Sequence, residues 1–281
     1  MNLSRLFKAL VLPLLVAATA APAQTPKPIR IGVMTDMTGM TMDIVSPGSV
    51  IAAKMAAEDF GGKVGARSIE ILAGDHQNKP DVGAVLARKW FDAEGVDVIV
   101  DLPNSSVALA VQEVTRNMNR VVLHTAGASP ALTGKSCSPN SIQWSRDSYG
   151  LAQSIGSAVA KSGGDTWYFV TADYAFGHAT EAAVGQVVTK CGGKILGSAR
   201  HPTGPGDFSS FLLQAQASKA KVIGMANAGA DTILAMKQAA EFGITGAGQR
   251  LVASYINISE IRGPGSNGAV NRLKAGRVTA G

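Results

Sequence analysis

Polar turns follow two predicted strands in the middle of the chain, and their residue types suit the binding of a small anion. Segment 101–133 reads DLPNSSVALAVQEVTRNMNRVVLHTAGASPALT. A predicted strand, Val96–Asp101, ends in the turn Pro103–Ser106, and a second, Val121–His124, ends in the small-residue loop Thr125–Ser129. If these strands are parallel neighbours, both loops lie at the carboxyl edge of one sheet, where open α/β sheets bind ligands.

The helix predicted after the first turn adds to this interpretation. Ser105 and Ser106 are residue types that cap helices, and a helix N-terminus offers free N–H groups and partial positive charge to an anion. Ordinary capping and loop roles are the alternative interpretation. The candidate binding residues of the two loops are Asn104, Ser105, Ser106, Ala126, Gly127, Ala128 and Ser129.

The second half of the chain offers further candidates in equivalent positions. Tyr174 follows a predicted strand and precedes a helix, so its ring and hydroxyl would project from a carboxyl edge. Asn227 and Asp231 occupy the same kind of position after the predicted strand Val222–Met225, and Tyr255 follows the last predicted strand. Helix capping by Asp231 and core packing of Tyr255 are the alternatives.

Catalytic and cofactor motifs are not evident in the sequence. Asp75 and His76 are adjacent, and neighbouring side chains on an extended segment point apart. Ser106 with His124 would be the nucleophile and base of a small-amide or ester hydrolase, yet no G-x-S-x-G elbow occurs. The four histidines show no metal-ligand spacing, and no glycine fingerprint stands between a strand and a helix. We therefore expect no enzyme, no metal and no cofactor.

Composition and the N-terminus indicate an exported protein. The 281-residue chain has a formal net charge of +6, but its basic residues are scattered, which argues against nucleic-acid binding. Residues 1–23 combine a basic start, an apolar run and the A-x-A site Ala21-Pro22-Ala23, as in a signal peptide. We therefore predict an exported protein whose mature form begins near Gln24. Cys137 and Cys191 form a disulfide or stay free; the sequence leaves both open.

Strand–helix alternation from residue 27 onward must position these candidates. Apolar, β-branched strands separated by helices predict parallel sheets covered on both faces, hence an α/β fold. The predicted division is a signal peptide at 1–23, a first α/β lobe at 24–140, an incomplete second lobe at 141–259 and a disordered or aberrant tail at 260–281.

Several motifs together resemble one family. The chain resembles the exported solute-binding proteins of ABC importers, in particular the leucine/isoleucine/valine-binding branch. The resemblance covers about residues 27 to 259, and its motifs are IRIGVMTDMTG, SPGSVIAAKMAAEDF, GDHQNKPDVGAVLARKW, NSSVALAV, HTAGASPALTG, TADYAFGHA and ANAGADTILAMKQAAEFGI.

The resemblance implies a type 1 periplasmic binding fold: two Rossmann-like parallel-sheet domains joined by a hinge, with a ligand cleft between them. It implies that Asn104–Ser106 and Ala126–Ser129 hold the carboxylate of a small solute while Tyr174 closes over it. The implied protein is a monomer that delivers the solute to an ABC permease in the inner membrane; a sensor for a membrane receptor is the alternative. Family members continue well past Ser259, so this chain is expected to be C-terminally shortened.

The second lobe departs from the amino-acid binders of that family. Those proteins place an acidic residue soon after the strand corresponding to Leu251–Ser254, where it pairs with the ligand ammonium. Here the approximate counterpart is Tyr255, and Glu260 lies further on. Because a buried ammonium without a charge partner is costly, the sequence favours an aromatic or short aliphatic carboxylate without an α-amino group. Branched-chain amino acids and amides are the alternatives.

Overall fold

Short apolar strands alternate with helices along the chain and form two parallel sheets. The computed structural model describes residues 26–257 and residue 260. The strands of the first sheet are β1 (Ile29–Thr35), β2 (Lys63–Val64), β3 (Arg67–Asp75), β4 (Val98–Asp101), β5 (Val121–His124) and β6 (Ser141–Gln143). Within the described residues their order is β2-β3-β1-β4-β5-β6, parallel throughout except for the antiparallel pair β2 and β3.

Helices cover this first sheet unequally. They are α1 (Met42–Val45), α2 (Gly48–Asp59), α3 (Pro80–Asp92) and α4 (Ser105–Asn117), with a 3-10 turn at Pro130–Leu132. The core forms where α3 and α4 pack on the sheet, around Trp90, Ile99 and Val111. Gly32 is required on β1, because a Cβ there would lie 2.4 Å from the Trp90 ring. By contrast, α2 has no fully buried residue.

The second sheet shows the same alternation of strands and helices. Its strands are β7 (Thr166–Ala172), β8 (Lys194–His201), β9 (Val222–Ala226) and β10 (Arg250–Ala253), in the parallel order β10-β9-β7-β8 within the described residues. Its helices are α5 (Ser148–Lys161), α6 (Ala175–Lys190), α7 (Ser209–Ala217) and α8 (Ala230–Glu241). One core contains Trp167 and Phe169, and another contains Phe208, Ile223 and Met225.

The α/β fold with two parallel-sheet lobes is therefore confirmed, with one change to the predicted division. We predicted a second lobe that begins at residue 141 with a short strand at Ser141–Ser145, but the observed strand Ser141–Gln143 pairs in parallel with β5 through Leu123 and Ile142. The polypeptide leaves the first sheet only after Gln143, because the edge of β5 offers backbone partners to the segment. The hairpin strand β2 was not predicted, since two residues are too few for a periodic pattern.

Other predictions concern the ends of the chain and the cysteines. The predicted signal peptide lies outside the described residues, and so does the predicted tail apart from Glu260. Within the described part, no helix is both long and apolar enough to cross a bilayer. Cys137 in the first lobe and Cys191 at the end of α6 are free and exposed, so they do not form a disulfide with each other.

Candidate ligand-binding cleft

The two loops that the sequence singled out lie side by side at the carboxyl edge of the first sheet. Strands β4 and β5 are parallel neighbours, with Asp101 opposite His124. The chain turns sharply after β4, because Asp101 (φ 88°) and Leu102 (φ 62°) both adopt the left-handed region that non-glycine residues rarely occupy. This irregular turn, which no sequence pattern revealed, carries the chain from the end of β4 to the N-terminus of α4.

Asn104 caps α4 at this point. Its Oδ1 accepts hydrogen bonds from the backbone N–H groups of Ser106 (2.8 Å) and Val107 (3.1 Å), while its Nδ2 donates to Asn78 Oδ1 (3.2 Å). The Asn104 side chain is thus occupied within the first lobe. The capping alternative holds for this residue, and ligand contact by Asn104 stays a prediction.

Ser105, the first residue of α4, is the better candidate for direct contact with a ligand. It is only 1% exposed, and its Oγ has no hydrogen-bond partner among the described residues. Buried hydroxyls in native structures are normally paired, so an orphaned one marks a place where a further group is expected. Its position at the first turn of a helix favours an anionic acceptor.

The loop after β5 has backbone donors that are not used. Two of its carbonyl groups are engaged: Gly127 O accepts from Gln143 Nε2 (2.9 Å), and Ala128 O accepts from Ser148 N (2.8 Å). The N–H groups of Gly127 and Ala128 donate no hydrogen bond within the described part of the chain. A Cβ at Gly127 would lie 3.2 Å from Leu102 O, a tight contact that favours glycine here.

The remaining residues of that loop contribute in different ways. Ser129 is 3% exposed, and its Oγ accepts from Ala131 N (3.3 Å), so it caps the 3-10 turn. Ala126 is partly exposed and donates a long backbone hydrogen bond to Asp101 O (3.4 Å). The available donors are therefore concentrated at Ser105, Gly127 and Ala128.

Tyr174 lies in the second lobe, next to a residue that contacts the first lobe. It precedes α6 directly and is partly buried, with its ring centroid 6.0 Å from that of Phe176. Burial raises the pKa of the Tyr174 hydroxyl, and the nearby carboxylates of Asp231 and Glu260 raise it further. The hydroxyl consequently stays protonated and is a neutral hydrogen-bond donor. Next to it, Ala175 N donates to Ser106 Oγ (3.2 Å) across the cleft.

Asn227 and Asp231 lie at the edge of the second sheet, but their polar atoms are used inside that lobe. Asp231 accepts from Gly204 N at 3.1 and 3.2 Å through its two oxygens, and burial raises the pKa of its carboxyl. Asn227 accepts from Thr232 Oγ1 (2.9 Å) and lies 3.3 Å from His201 Nε2. These contacts fit a structural role at the base of the cleft.

Tyr255 belongs to an aromatic wall on the second lobe. Its ring meets Phe176 edge-on at 6.0 Å, so Phe176 lies between Tyr174 and Tyr255. The Arg146 guanidinium stacks 4.5 Å above the Tyr255 ring, and the Tyr255 hydroxyl donates to Asn257 Oδ1 (3.0 Å). Arg146 was not a sequence candidate, because nothing in its local sequence connects it with β10.

Glu260 was also missed as a site residue. We predicted that position 260 begins a disordered tail, whereas its side chain is 4% exposed and packs against the second lobe. Its Oε1 accepts from Gly229 N (2.6 Å) and its Oε2 from Asn257 N (2.5 Å), and burial raises the pKa of this carboxyl. Its sequence signals were its acidic type and its place beyond Leu251–Ser254, where the family resemblance led us to look for an acidic residue.

The residues of the hydrolase alternative do not meet. His124 is fully buried, and its Nε2 pairs with Gln112 Oε1 (2.9 Å), while burial lowers its pKa to about 4. Ser106 Oγ is engaged by the backbone of the second lobe instead. Asp75 binds Met37 N (3.0 Å) and thereby holds the loop after β1. No group of three metal-ligating side chains occurs among the described residues.

Comparison with known proteins identifies the family. The family model described as periplasmic binding protein matches residues 28–273. A periplasmic binding protein from Burkholderia mallei is 46% identical, with a TM-score of 0.82 over 84% of this chain and 62% of that one. A search of curated proteins gave no match.

Two further solved structures are similar over slightly less of the chain. A branched-chain amino acid ABC transporter ligand-binding protein from Burkholderia xenovorans is 35% identical, with a TM-score of 0.68 over 83% of this chain and 63% of that one. An ABC transporter solute-binding protein from Rhodopseudomonas palustris, in complex with 3,4-dihydroxybenzoic acid, is 27% identical, with a TM-score of 0.70 over 80% and 61%. This chain thus spans about three fifths of each relative's length, and it belongs to the periplasmic binding protein family.

Proposed function

We propose that the protein is the substrate-binding subunit of an ABC importer, which captures a small carboxylate between its two lobes and delivers it to an inner-membrane permease. The observation that carries the proposal is the set of unused donors at the edge of the first sheet. The buried Ser105 hydroxyl and the N–H groups of Gly127 and Ala128 have no partner among the described residues, and they follow the neighbouring parallel strands β4 and β5, so donors of this kind at a helix N-terminus suit a carboxylate.

The second lobe supports an acid without an α-ammonium group. Both oxygens of Glu260 and both oxygens of Asp231 accept backbone N–H groups, so these carboxylates are already engaged within the lobe. The charge stacked on Tyr255 is the cation of Arg146, which would repel an ammonium. The aromatic wall of Tyr174, Phe176 and Tyr255 offers apolar contact to a ring or short chain.

The comparisons include relatives of both ligand classes. The Rhodopseudomonas relative was solved with a hydroxylated benzoic acid, which supports the proposed class, whereas the Burkholderia xenovorans relative is described as a branched-chain amino acid transport protein, which corresponds to the alternative. We infer a periplasmic monomer. We also infer that it catalyses no reaction, because its cleft offers binding groups and the side chains of Ser106 and His124 are hydrogen-bonded to other partners.

A thermal-shift screen of the protein recovered from the periplasm of an expression host tests the proposal. The panel is benzoate, 4-hydroxybenzoate, 3,4-dihydroxybenzoate, 4-methylpentanoate, leucine, valine and leucinamide. A ligand that binds only the folded form raises the melting temperature by mass action. A rise confined to the desamino acids supports the proposal, a rise with leucine or valine rejects the ligand class, and no rise with any compound rejects the carboxylate cradle.

A further inference from the structure

The contact between Met40 and Gly229 spans the cleft. Met40 lies in the loop after β1, and its carbonyl oxygen accepts a hydrogen bond from Ala230 N (3.1 Å), the first residue of α8. The acceptor in the first lobe thus faces the free N–H groups and positive end of a second-lobe helix, where a carbonyl oxygen is stabilised. With the bond from Ala175 N to Ser106 Oγ, it joins the lobes across the cleft.

Gly229 permits this approach, and no other residue type would. It has φ 65° and ψ −140°, and a Cβ at this position would lie 2.2 Å from Met40 O. Real side chains do not reach that separation from a backbone oxygen, so any larger residue would push the two lobes apart. The steric requirement comes from the opposite lobe and is additional to the backbone strain.

Glu260 fixes the second-lobe half of the contact. Its Oε1 accepts from Gly229 N (2.6 Å), and its Oε2 accepts from Asn257 N and Nδ2 (2.5 and 3.0 Å). A buried carboxylate with three donors orients the peptide that precedes Ala230. Hydrogen bonds to a charged acceptor are stronger than neutral ones, so this peptide has little freedom.

Asp36 fixes the first-lobe half. This fully buried carboxylate accepts from Gly39 N (2.7 Å) and Thr41 N (2.8 Å), on both sides of Met40. Asn78 Nδ2 also donates to Asp36, and Asn78 Oδ1 accepts from Asn104, the cap of α4. The loop that carries Met40 is therefore hydrogen-bonded to the helix end that forms the carboxylate cradle.

We propose that Gly229 and Glu260 are positioning residues for lobe closure: they hold the N-terminus of α8 against Met40 O and form a latch next to the cradle. This inference rests on the proposed function in one respect: a binding protein that releases its solute needs a weak, reversible contact between its lobes. The latch itself is defined by geometry that does not involve a ligand.

Lobe separation can be measured without knowing the ligand, using native cysteines. Cys137 and Cys191 are exposed, free and on different lobes, so spin labels on both report the distance between lobes by pulsed electron resonance. We expect Gly229→Ala to shift the distance distribution of the ligand-free protein to larger values. Gly243→Ala is the matched control, since Gly243 has φ 67° in the same lobe and a Cβ there would meet nothing within 4 Å.

Substitutions at Glu260 test the latch without a steric clash. Glu260→Ala should reduce the short-distance population about tenfold, the effect of losing a hydrogen bond to a charged group. Glu260→Gln keeps one oxygen for Gly229 N and should restore part of that population. Circular dichroism and urea unfolding of each variant verify that it is folded.

Unchanged distance distributions in Gly229→Ala and Glu260→Ala would overturn the latch. The same would follow if Gly243→Ala opened the lobes as much as Gly229→Ala, because the effect would then be backbone strain alone. Benzoate and leucine are added afterwards as probes. If neither changes the wild-type distances while the variants behave as expected, the latch stands and the proposed ligand class fails, so the two conclusions are separable.

Discussion

At the scale of single residues, Ser105 combines burial with an unused hydroxyl. Burying a hydroxyl without a partner costs free energy, and no described residue accepts a hydrogen bond from Ser105 Oγ. A ligand oxygen that accepts from Ser105 Oγ would recover this free energy. The residue therefore contributes to affinity while adding little to the stability of the ligand-free fold.

We predict that Ser105→Ala weakens binding of the best acid from the thermal-shift panel about tenfold, since one charge-assisted hydrogen bond is lost. The melting temperature without ligand should be unchanged or slightly higher. Isothermal titration calorimetry and thermal unfolding measure the two effects. Ser154→Ala, at an exposed position of α5, is the control and should leave both quantities unchanged. Equal affinity in Ser105→Ala would remove this residue from the site.

His124 provides a residue-scale prediction about pH. Its pKa is lowered to about 4 by burial, below the ordinary value near 6.5, so the unfolded chain binds the proton more readily. The histidine therefore contributes stability that is present above pH 6.5 and is lost as the pH falls toward 4. Between pH 7 and pH 4.5 we expect this loss to be about 2 kcal/mol.

Substitution separates this effect from the other titrating groups. His124→Gln removes the titration, so the stability difference between wild type and variant should shrink by that amount as the pH is lowered. Urea unfolding at both pH values measures the difference. A difference independent of pH would show that His124 is not buried as a neutral imidazole.

At the scale of elements, the N-terminus of α4 depends on one cap. Asn104 supplies the acceptor for Ser106 N and Val107 N, and the same helix end forms the carboxylate cradle. Stability of the helix and geometry of the site are thus coupled through one side chain. The strained turn at Asp101 and Leu102 places this cap beside β5.

We predict that Asn104→Ala destabilises the protein by about 1 kcal/mol, the typical contribution of an N-cap, and also weakens binding of the acid. Asn104→Asp keeps the acceptor oxygen and should retain most of the stability. Chemical denaturation and calorimetry test the pair. If alanine and aspartate variants were equally stable, the cap would not be the role of this residue.

At the scale of the whole molecule, the faces of the first sheet differ. The face under α3 and α4 encloses a core with Trp90 only 3% exposed, whereas α2 leaves Met55 57% and Phe60 68% exposed. Apolar side chains that remain in water contribute little to folding, but together they form a surface that binds apolar probes.

We predict that the double substitution Met55→Gln and Phe60→Ser changes the free energy of unfolding by less than about 0.5 kcal/mol, as for exposed sites generally. Fluorescence of the apolar dye ANS with the folded protein should fall at the same time. Trp90→Ala is the contrast and should cost about 3 kcal/mol or more, because it empties a packed core. A large loss of stability in the double variant would show that α2 is packed.

The sequence by itself determined the features that depend on local periodicity. Apolar strands alternating with amphipathic helices predicted the α/β lobes, and the polar turns after Asp101 and His124 predicted where their edges lie. Parallel pairing of β4 with β5 then follows from ordinary α/β connectivity. The positions of the candidate loops are therefore predictable from the sequence.

The tertiary structure decided which atoms remain available, because availability depends on partners far away in the chain. Asn227 and Asp231 are occupied by partners up to 27 residues away, and Ser105 is left without one. The pairing of Ser141–Gln143 with β5, the stacking of Arg146 on Tyr255 and the burial of Glu260 likewise arise from contacts that local patterns do not encode. The Met40–Ala230 bond spans 190 residues and exists only once both lobes are folded.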